Sequence, residues 1–259
     1  MSANISQILI IGATSGIGEA FAKHFHSQGK KVIAAGRRVE RLNNLKAQLA
    51  GLQTVQLDVE NIDALETNLN AIIKAFPDLD SIFVMAGKME FFNFTDPSTS
   101  TSKSLISEAT TNFIAPLLIA RSMIPHLHSL KRPTTFITVT SGLAFVPVPL
   151  SPMYSATKAA IHTFSVILRA QCAGSNVNVV ELVPPYVDTD LDSHFRDQVK
   201  KLQGDRAMPP MPLQEYMEKA TAIMDKGGEK EVAVGFAEIG VGAWRGAFGP
   251  IMQNLGISG

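Results

Sequence analysis

The chain has one cysteine, no surplus of either charge and no long apolar run, and each shortage excludes something. Cys172 has no partner for an internal disulfide, which fits a reducing compartment. Lys and Arg number 23, as do Asp and Glu, giving a formal net charge of +0 and a pI of about 7.0. Without a basic run, that balance argues against a nucleic-acid or anionic-lipid partner. The run Ile8–Ile11 is far shorter than the roughly 20 apolar residues a membrane span needs. Met1–Gln7 lacks a basic segment, and Ile257-Ser258-Gly259 matches no retention or peroxisomal signal, so the expected location is the cytoplasm. His24, His26, His126, His128, His162 and His194 show no ligand spacing with Cys or acidic residues, and no metal is expected.

What is present is core material: 46% of residues are hydrophobic and 18% charged. Short apolar runs at Gln7–Ile11, Lys31–Ala35, Gln53–Leu57, Ser81–Met85, Thr134–Thr140, Val177–Val183 and Glu231–Phe236 read as strands. Several are apolar almost throughout, as strands buried on both faces of a parallel sheet are. Amphipathic stretches such as Gly18–Gln28, Val39–Leu49 and Ala64–Phe76 lie between them. The alternation predicts an α/β fold: a doubly wound, mainly parallel seven-stranded sheet with helices on both faces. No repeat, low-complexity tract or linker interrupts it, so residues 1–259 read as a single domain.

Asp188–Pro212 departs from the pattern, with charges early and Met208-Pro-Pro-Met211-Pro212 late. It follows the sixth strand, at the edge where ligands of open α/β sheets bind. It reads as a mobile substrate lid, with a solvated loop as the alternative. Phe91, Phe92 and Phe94, after the fourth strand, are candidates for the pocket or for the core. The tail from Gly235 holds the sole tryptophan, Trp244.

The first strand runs into Gly12-Ala-Thr14-Ser15-Gly16-Ile17-Gly18, which opens a helix. Glycines here allow a sharp turn, backbone approach to a pyrophosphate and close helix–strand packing, and the helix N-terminus offers N–H groups to phosphate. Gly12, Thr14, Ser15, Gly16, Ile17 and Gly18 are therefore dinucleotide-binding candidates in a Rossmann-type fold. The second strand ends in Gly36-Arg37-Arg38. No acid stands there to hold ribose hydroxyls, and arginine suits a 2′-phosphate, so NADP is the expected cofactor. The alternative is two surface arginines starting a helix.

Tyr154 and Lys158 fall at i and i+4 on a predicted helix and share a face. An ammonium beside a phenol favours its ionisation, which an acid–base tyrosine needs. Ser141, at the end of the fifth strand, offers a hydroxyl to a carbonyl. With Gly12/Gly16/Gly18, Asp58-Val59, Ala86-Gly87, Asn112, Ser141, Tyr154-Ser-Ala-Thr-Lys158, Pro184, Val187 and Thr189 in order, the chain resembles the short-chain dehydrogenase/reductase family.

The resemblance implies the roles. Tyr154 is the acid–base, Lys158 lowers its pKa and binds the nicotinamide ribose, Ser141 orients the carbonyl, and Asn112 holds a water linking Lys158 to solvent. Asp58 and Val59 flank the adenine, and Ala86 and Gly87 line the adenosine side. Val187 and Thr189 fix the carboxamide, with Pro184 beside them on the cofactor. The chain departs from the family at Ile11 (usually Thr), Val84-Met85 (usually two Asn) and Pro185-Tyr186 (usually Gly after the proline). The expected activity is NADPH-dependent reduction of a small-molecule carbonyl, with a homodimer or homotetramer by analogy. The alternatives are a cofactor-binding regulator, or an isomerase or cyclase in a biosynthetic pathway.

Overall fold

The computed structural model describes residues 4–204 and 208–257. Its strands are β1 (Gln7–Ile11), β2 (Lys31–Gly36), β3 (Gln53–Gln56), β4 (Ser81–Val84), β5 (Thr134–Val139), β6 (Val177–Val183) and β7 (Glu231–Ala233). They form one sheet in the order β3-β2-β1-β4-β5-β6-β7, and every pairing is parallel. The expected seven-stranded α/β fold is therefore observed. The largest difference in strand bounds is at β7, expected to reach Phe236. Gly235 takes φ +60 there and turns the chain into a helix.

The helices are α1 (Gly16–Ser27), α2 (Val39–Gln48), α3 (Ile62–Ala75), α4 (Ser102–Ala109), α5 (Ala115–Ser129), α6 (Pro152–Gln171), α7 (Arg196–Gln203), α8 (Leu213–Lys226) and α9 (Phe236–Asn254). A π-helical turn, Thr110–Ile114, joins α4 to α5.

The unbroken apolar runs have a two-sided cause. Ile8 and Ile10 of β1 face a core with Phe21 and Phe25 of α1 and Tyr216 and Met224 of α8. Leu9 and Ile11 face the opposite core, with Leu65 and Leu69 of α3, Ile119 and Leu127 of α5 and Leu168 of α6. Each such side chain contributes about 1.5–3 kcal/mol on burial. Phe83 of β4 sits edge-on to Phe21 and Phe25, with centroids 5.5 and 5.3 Å away. The buried Asp80 carboxylate accepts the backbone N–H groups of Ser6 and Gln7, fixing where β1 starts.

Strand order reverses between β1 and β4, which opens a crevice beyond the carboxyl ends of the strands. The turns after β1, β4, β5 and β6 carry Gly12, Ala86, Ser141 and Pro184 to that edge.

Candidate active site

The glycine turn is shaped chiefly by backbone contacts. Gly12, at φ +100, has no room for a Cβ, which would stand 2.5 Å from the Ala86 nitrogen. A Cβ on Gly18 would stand 2.3 Å from the Gly12 carbonyl oxygen. Gly16 differs: its Cβ would meet the Thr189 side chain at 3.3 Å, so the turn and the segment after β6 approach each other there. Ser15 precedes α1 but does not cap it; its hydroxyl accepts from Arg38 instead. The first-turn N–H groups of α1 thus have no side-chain cap, as an anion site at a helix start requires.

The two arginines after β2 part company. Arg38 donates through Nε and Nη2 to Thr14 Oγ1, at 3.0 and 2.7 Å, and through Nη2 to Ser15 Oγ at 2.6 Å. Arg37 turns away to Glu60, 2.9 Å off. Arg41, one helical turn beyond Arg38 on α2, reaches the Thr14 carbonyl at 3.4 Å and Asp190 at 3.2 Å. Sequence reasoning missed Arg41, although its i+3 spacing from Arg38 was a usable signal. Burial and then repulsion from Arg41 and Arg37 lower the pKa of Arg38, so an anion here would relieve crowded positive charge. A Cβ on Gly36 would press on Thr14 Cγ2 at 2.7 Å, which leaves no room for the ribose-binding acid at that position.

Tyr154, Lys158 and Ser141 converge at the end of β5 and are 7%, 4% and 7% exposed. The Ser141 hydroxyl accepts the Leu143 N–H and lies near enough to the Tyr154 phenol to favour its ionised form. The Lys158 ammonium lies 5.4 Å from the Tyr154 ring centroid and donates to the Val139 carbonyl at 2.8 Å. Burial pulls Lys158 down to about 8, while Glu108 and Glu181 pull it back up. Burial also holds the Tyr154 phenol above its ordinary range; Ser141 opposes that shift, and the charges of Glu108 and Asp192 add to it. Its pKa is thus raised, where the sequence had suggested a lowered one, because removal from water dominates.

Asn112 lies on the π-helical turn. Its side chain exchanges two hydrogen bonds of 2.8 Å with the Lys88 backbone and donates to Thr157 Oγ1 at 3.2 Å. Pro116, four residues on, has no N–H to offer the Asn112 carbonyl, so this oxygen lacks its ordinary helical donor. A narrow crevice is lined by Ala86, Asn112, Val139 and Lys158. Around it, Gly87 is exposed and a Cβ there would lie 3.8 Å from both Asn112 Oδ1 and Lys158 Nζ. Val59 is buried and Asp58 exposed, its carboxylate accepting the Glu60 N–H. Pro184 accepts the Gly142 N–H through its carbonyl.

The segment after β6 is pinned at both ends. Val187 and Met211 form a parallel bridge, with Asp188 N–H donating to Met211 and Met211 N–H to Tyr186. Arg196 binds Asp188 at 2.7 Å, Asp192 at 2.6 Å and the Thr189 carbonyl, and the Tyr186 hydroxyl donates to Asp192 at 2.6 Å. Met208 is exposed, as a cover residue would be. Met211, expected beside it in the cover, instead packs on the α1/α8 core, 3.0 Å from where a Gly235 Cβ would stand. Residues 205–207 of the expected lid lie outside the described residues. Phe91 stacks near Phe195, with centroids 6.2 Å apart, and Glu90 meets His194 at 3.2 Å, so this segment touches the loop after β4. Phe92 is buried and Phe94 exposed.

Comparison with known proteins agrees with this geometry. The family model described as short chain dehydrogenase matches residues 6–200. An uncharacterised oxidoreductase, DltE, of Bacillus subtilis (strain 168) is 37% identical over 194 residues, 74% of this chain and 75% of that protein. An uncharacterised oxidoreductase of Staphylococcus aureus (strain N315) is 31% identical over 74% of this chain and 83% of its own. Among solved structures, a short-chain dehydrogenase from Sphingobium yanoikuyae in complex with NADPH superposes with a TM-score of 0.81, at 21% identity, covering 96% of this chain and 95% of that one. A Burkholderia phymatum short-chain dehydrogenase/reductase in complex with NAD gives a TM-score of 0.78, at 17% identity, covering 97% and 96%. The chain belongs to the short-chain dehydrogenase family of oxidoreductases.

Proposed function

We propose that the protein reduces a small-molecule ketone or aldehyde to the alcohol with NADPH. The observation that carries this reading is the convergence of Ser141, Tyr154 and Lys158, all buried, at the edge where the sheet reverses. The residues present fit a dinucleotide: a glycine turn with no room for side chains, an uncapped helix start, and Arg38 held over Thr14 and Ser15.

The first turn of α1, with Gly16, Ile17 and Gly18, would hold the pyrophosphate. Arg38, with Arg41 and Thr14, would hold a 2′-phosphate, and Arg37 would join only by leaving Glu60. Asp58, Val59, Ala86 and Gly87 would flank the adenosine, and Pro184, Val187 and Thr189 the nicotinamide. When bound, that group supplies the hydride taken up by the carbonyl carbon. Ser141 positions the carbonyl oxygen by a hydrogen bond. Tyr154, kept protonated by its burial, gives its phenolic proton to that oxygen as negative charge grows on it. Lys158 holds positive charge beside the phenol, and Asn112 fixes the loop after β4 against α6. The segment 188–212 would cover the site and keep water out.

The test is NADPH oxidation with a panel of ketones and aldehydes, with the alcohol quantified. One alcohol formed per NADPH consumed is expected. NADPH binding without turnover on any member would favour a regulator, and product formation without NADPH loss would favour an isomerase or cyclase.

A further inference from the structure

Glu108 lies on α4, one helical turn before Asn112, and is 0% exposed. Neither carboxylate oxygen has a hydrogen-bond partner among the described residues. An unpaired buried carboxylate is costly and tends to take up a proton instead. Helix α4 packs on α6, so the carboxyl group and the Tyr154/Lys158 pair belong to neighbouring elements. The charged and titratable groups around Glu108 are Lys88 and Glu90 from the loop after β4, and Lys158 and Tyr154 from α6. Burial first, and the charge of Glu90 second, push the carboxyl up to about 7; the Glu90 backbone N–H, which approaches without completing a hydrogen bond, pulls it down most, followed by Lys88 and Lys158.

The two effects of this charge on the pair run in the same direction. An ionised Glu108 favours the Lys158 ammonium and disfavours the Tyr154 phenolate. Both groups are thereby kept in their protonated forms, the forms a carbonyl reduction starts from. A carboxylate that merely filled space would need a partner or would be replaced by an apolar side chain at less cost.

We propose that Glu108 is a positioning residue that poises the site for reduction, its buried carboxylate holding Lys158 charged and Tyr154 protonated from the neighbouring helix. The direction of catalysis rests on the reading given under Proposed function; the charge coupling does not.

Glu108→Gln keeps the shape and removes the charge, and Glu108→Met serves as an apolar second variant. The first readout is NADPH affinity against pH, which needs no substrate. Affinity in the unmodified protein is expected to weaken as Lys158 loses its proton. In both variants that fall should come at a pH lower by about one unit, the lower end for a nearby opposite charge. The second readout is the pH profile of turnover in both directions. The alkaline limb of reduction should move down by a similar amount, and alcohol oxidation should gain relative to reduction near neutrality. Unmoved profiles in variants that fold would overturn the proposal, as would failure of both variants to fold, which would make the carboxyl a structural element. A shifted NADPH profile in a protein that reduces no carbonyl would sink the reductase reading and the poising with it, while leaving the coupling of Glu108 to Lys158 intact.

Discussion

The proposed preference for NADPH rests on Arg38, and the size of its expected effect follows from its contacts. Its guanidinium is held 2.7 Å from Thr14 Oγ1 and 2.6 Å from Ser15 Oγ, at the mouth of the glycine turn. A hydrogen bond to a charged group contributes about 1.5–3 kcal/mol, and each 1.4 kcal/mol is about tenfold in affinity. Arg38 must loosen neutral partners to take a phosphate, so the net gain is that of one such bond. Arg38→Ala should therefore weaken NADPH binding by about 10- to 100-fold and leave NADH within about threefold. Arg37 is 57% exposed and bound to Glu60, so Arg37→Ala should cost NADPH only a few-fold, in the range of an exposed ion pair. Calorimetric titration of both cofactors against both variants, at low and high salt, measures this. Equal losses for NADPH and NADH in Arg38→Ala, or a larger loss from Arg37→Ala, would refute the assignment of the phosphate site to Arg38.

Three further outcomes are expected. Tyr154→Phe should retain the fold and NADPH affinity but lose roughly 10²- to 10⁴-fold in turnover, because only the transferable proton is removed; near-normal turnover would mean another acid. Glu231 is buried against Arg169 and Arg245, and although burial raises its pKa, the two arginines outweigh it and hold it below the ordinary carboxylate range. Its contribution to stability is thus present above the unfolded value of about 4.3 and lost as pH falls through the depressed one. Glu231→Gln should cost about 3 kcal/mol at neutral pH and flatten the acid limb of a denaturant-melt series, whereas parallel limbs would exclude Glu231 as a cause of acid unfolding. Amides of residues 187–196 should exchange more slowly when NADPH is added, as a closing lid predicts; unchanged protection would leave the segment a purely structural role.

The sheet was legible because its strands are buried on both faces. β1 and β6 read directly from short, largely apolar runs, and both ends match. The end of β7 was not, since Val234 and Phe236 continue the β-like composition and only the φ of Gly235 stops the strand. Within the site, the residue types and spacing named Ser141, Tyr154 and Lys158, whereas burial, which decides the direction of their pKa shifts, is a property of the fold. Adjacent arginines look alike in a sequence. Which one faces the glycine turn depends on how β2 hands over to α2, and this geometry gave Arg38 to Thr14 and Arg37 to Glu60. Met211 reads as a flexible cover among prolines, but the bridge to Val187 draws it onto the core. Glu108 carries the i−4 spacing to Asn112, yet nothing in the sequence says that its carboxyl is buried without a completed hydrogen bond among the described residues.

The segment after β6 joins the two halves of the site through consecutive residues. Thr189 lies against Gly16, and Asp190 pairs with Arg41 beside the proposed phosphate pocket. Two residues further, Asp192 is buried, clasped by Arg196 and the Tyr186 hydroxyl, and its charge disfavours ionisation of Tyr154. Two carboxylates from separate elements therefore act on the phenol in the same sense: Glu108 from α4 and Asp192 from this segment. They differ in what can move them. Glu108 is fixed in a packed helix and responds to protons, whereas Asp192 rides on a strap whose tie to α2 is the exposed Arg41–Asp190 pair, worth at most about 1 kcal/mol. A phosphate drawing on Arg41 at the proposed pocket would compete for that pair, whereas Asp192, held by Arg196 and Tyr186, keeps its own ties.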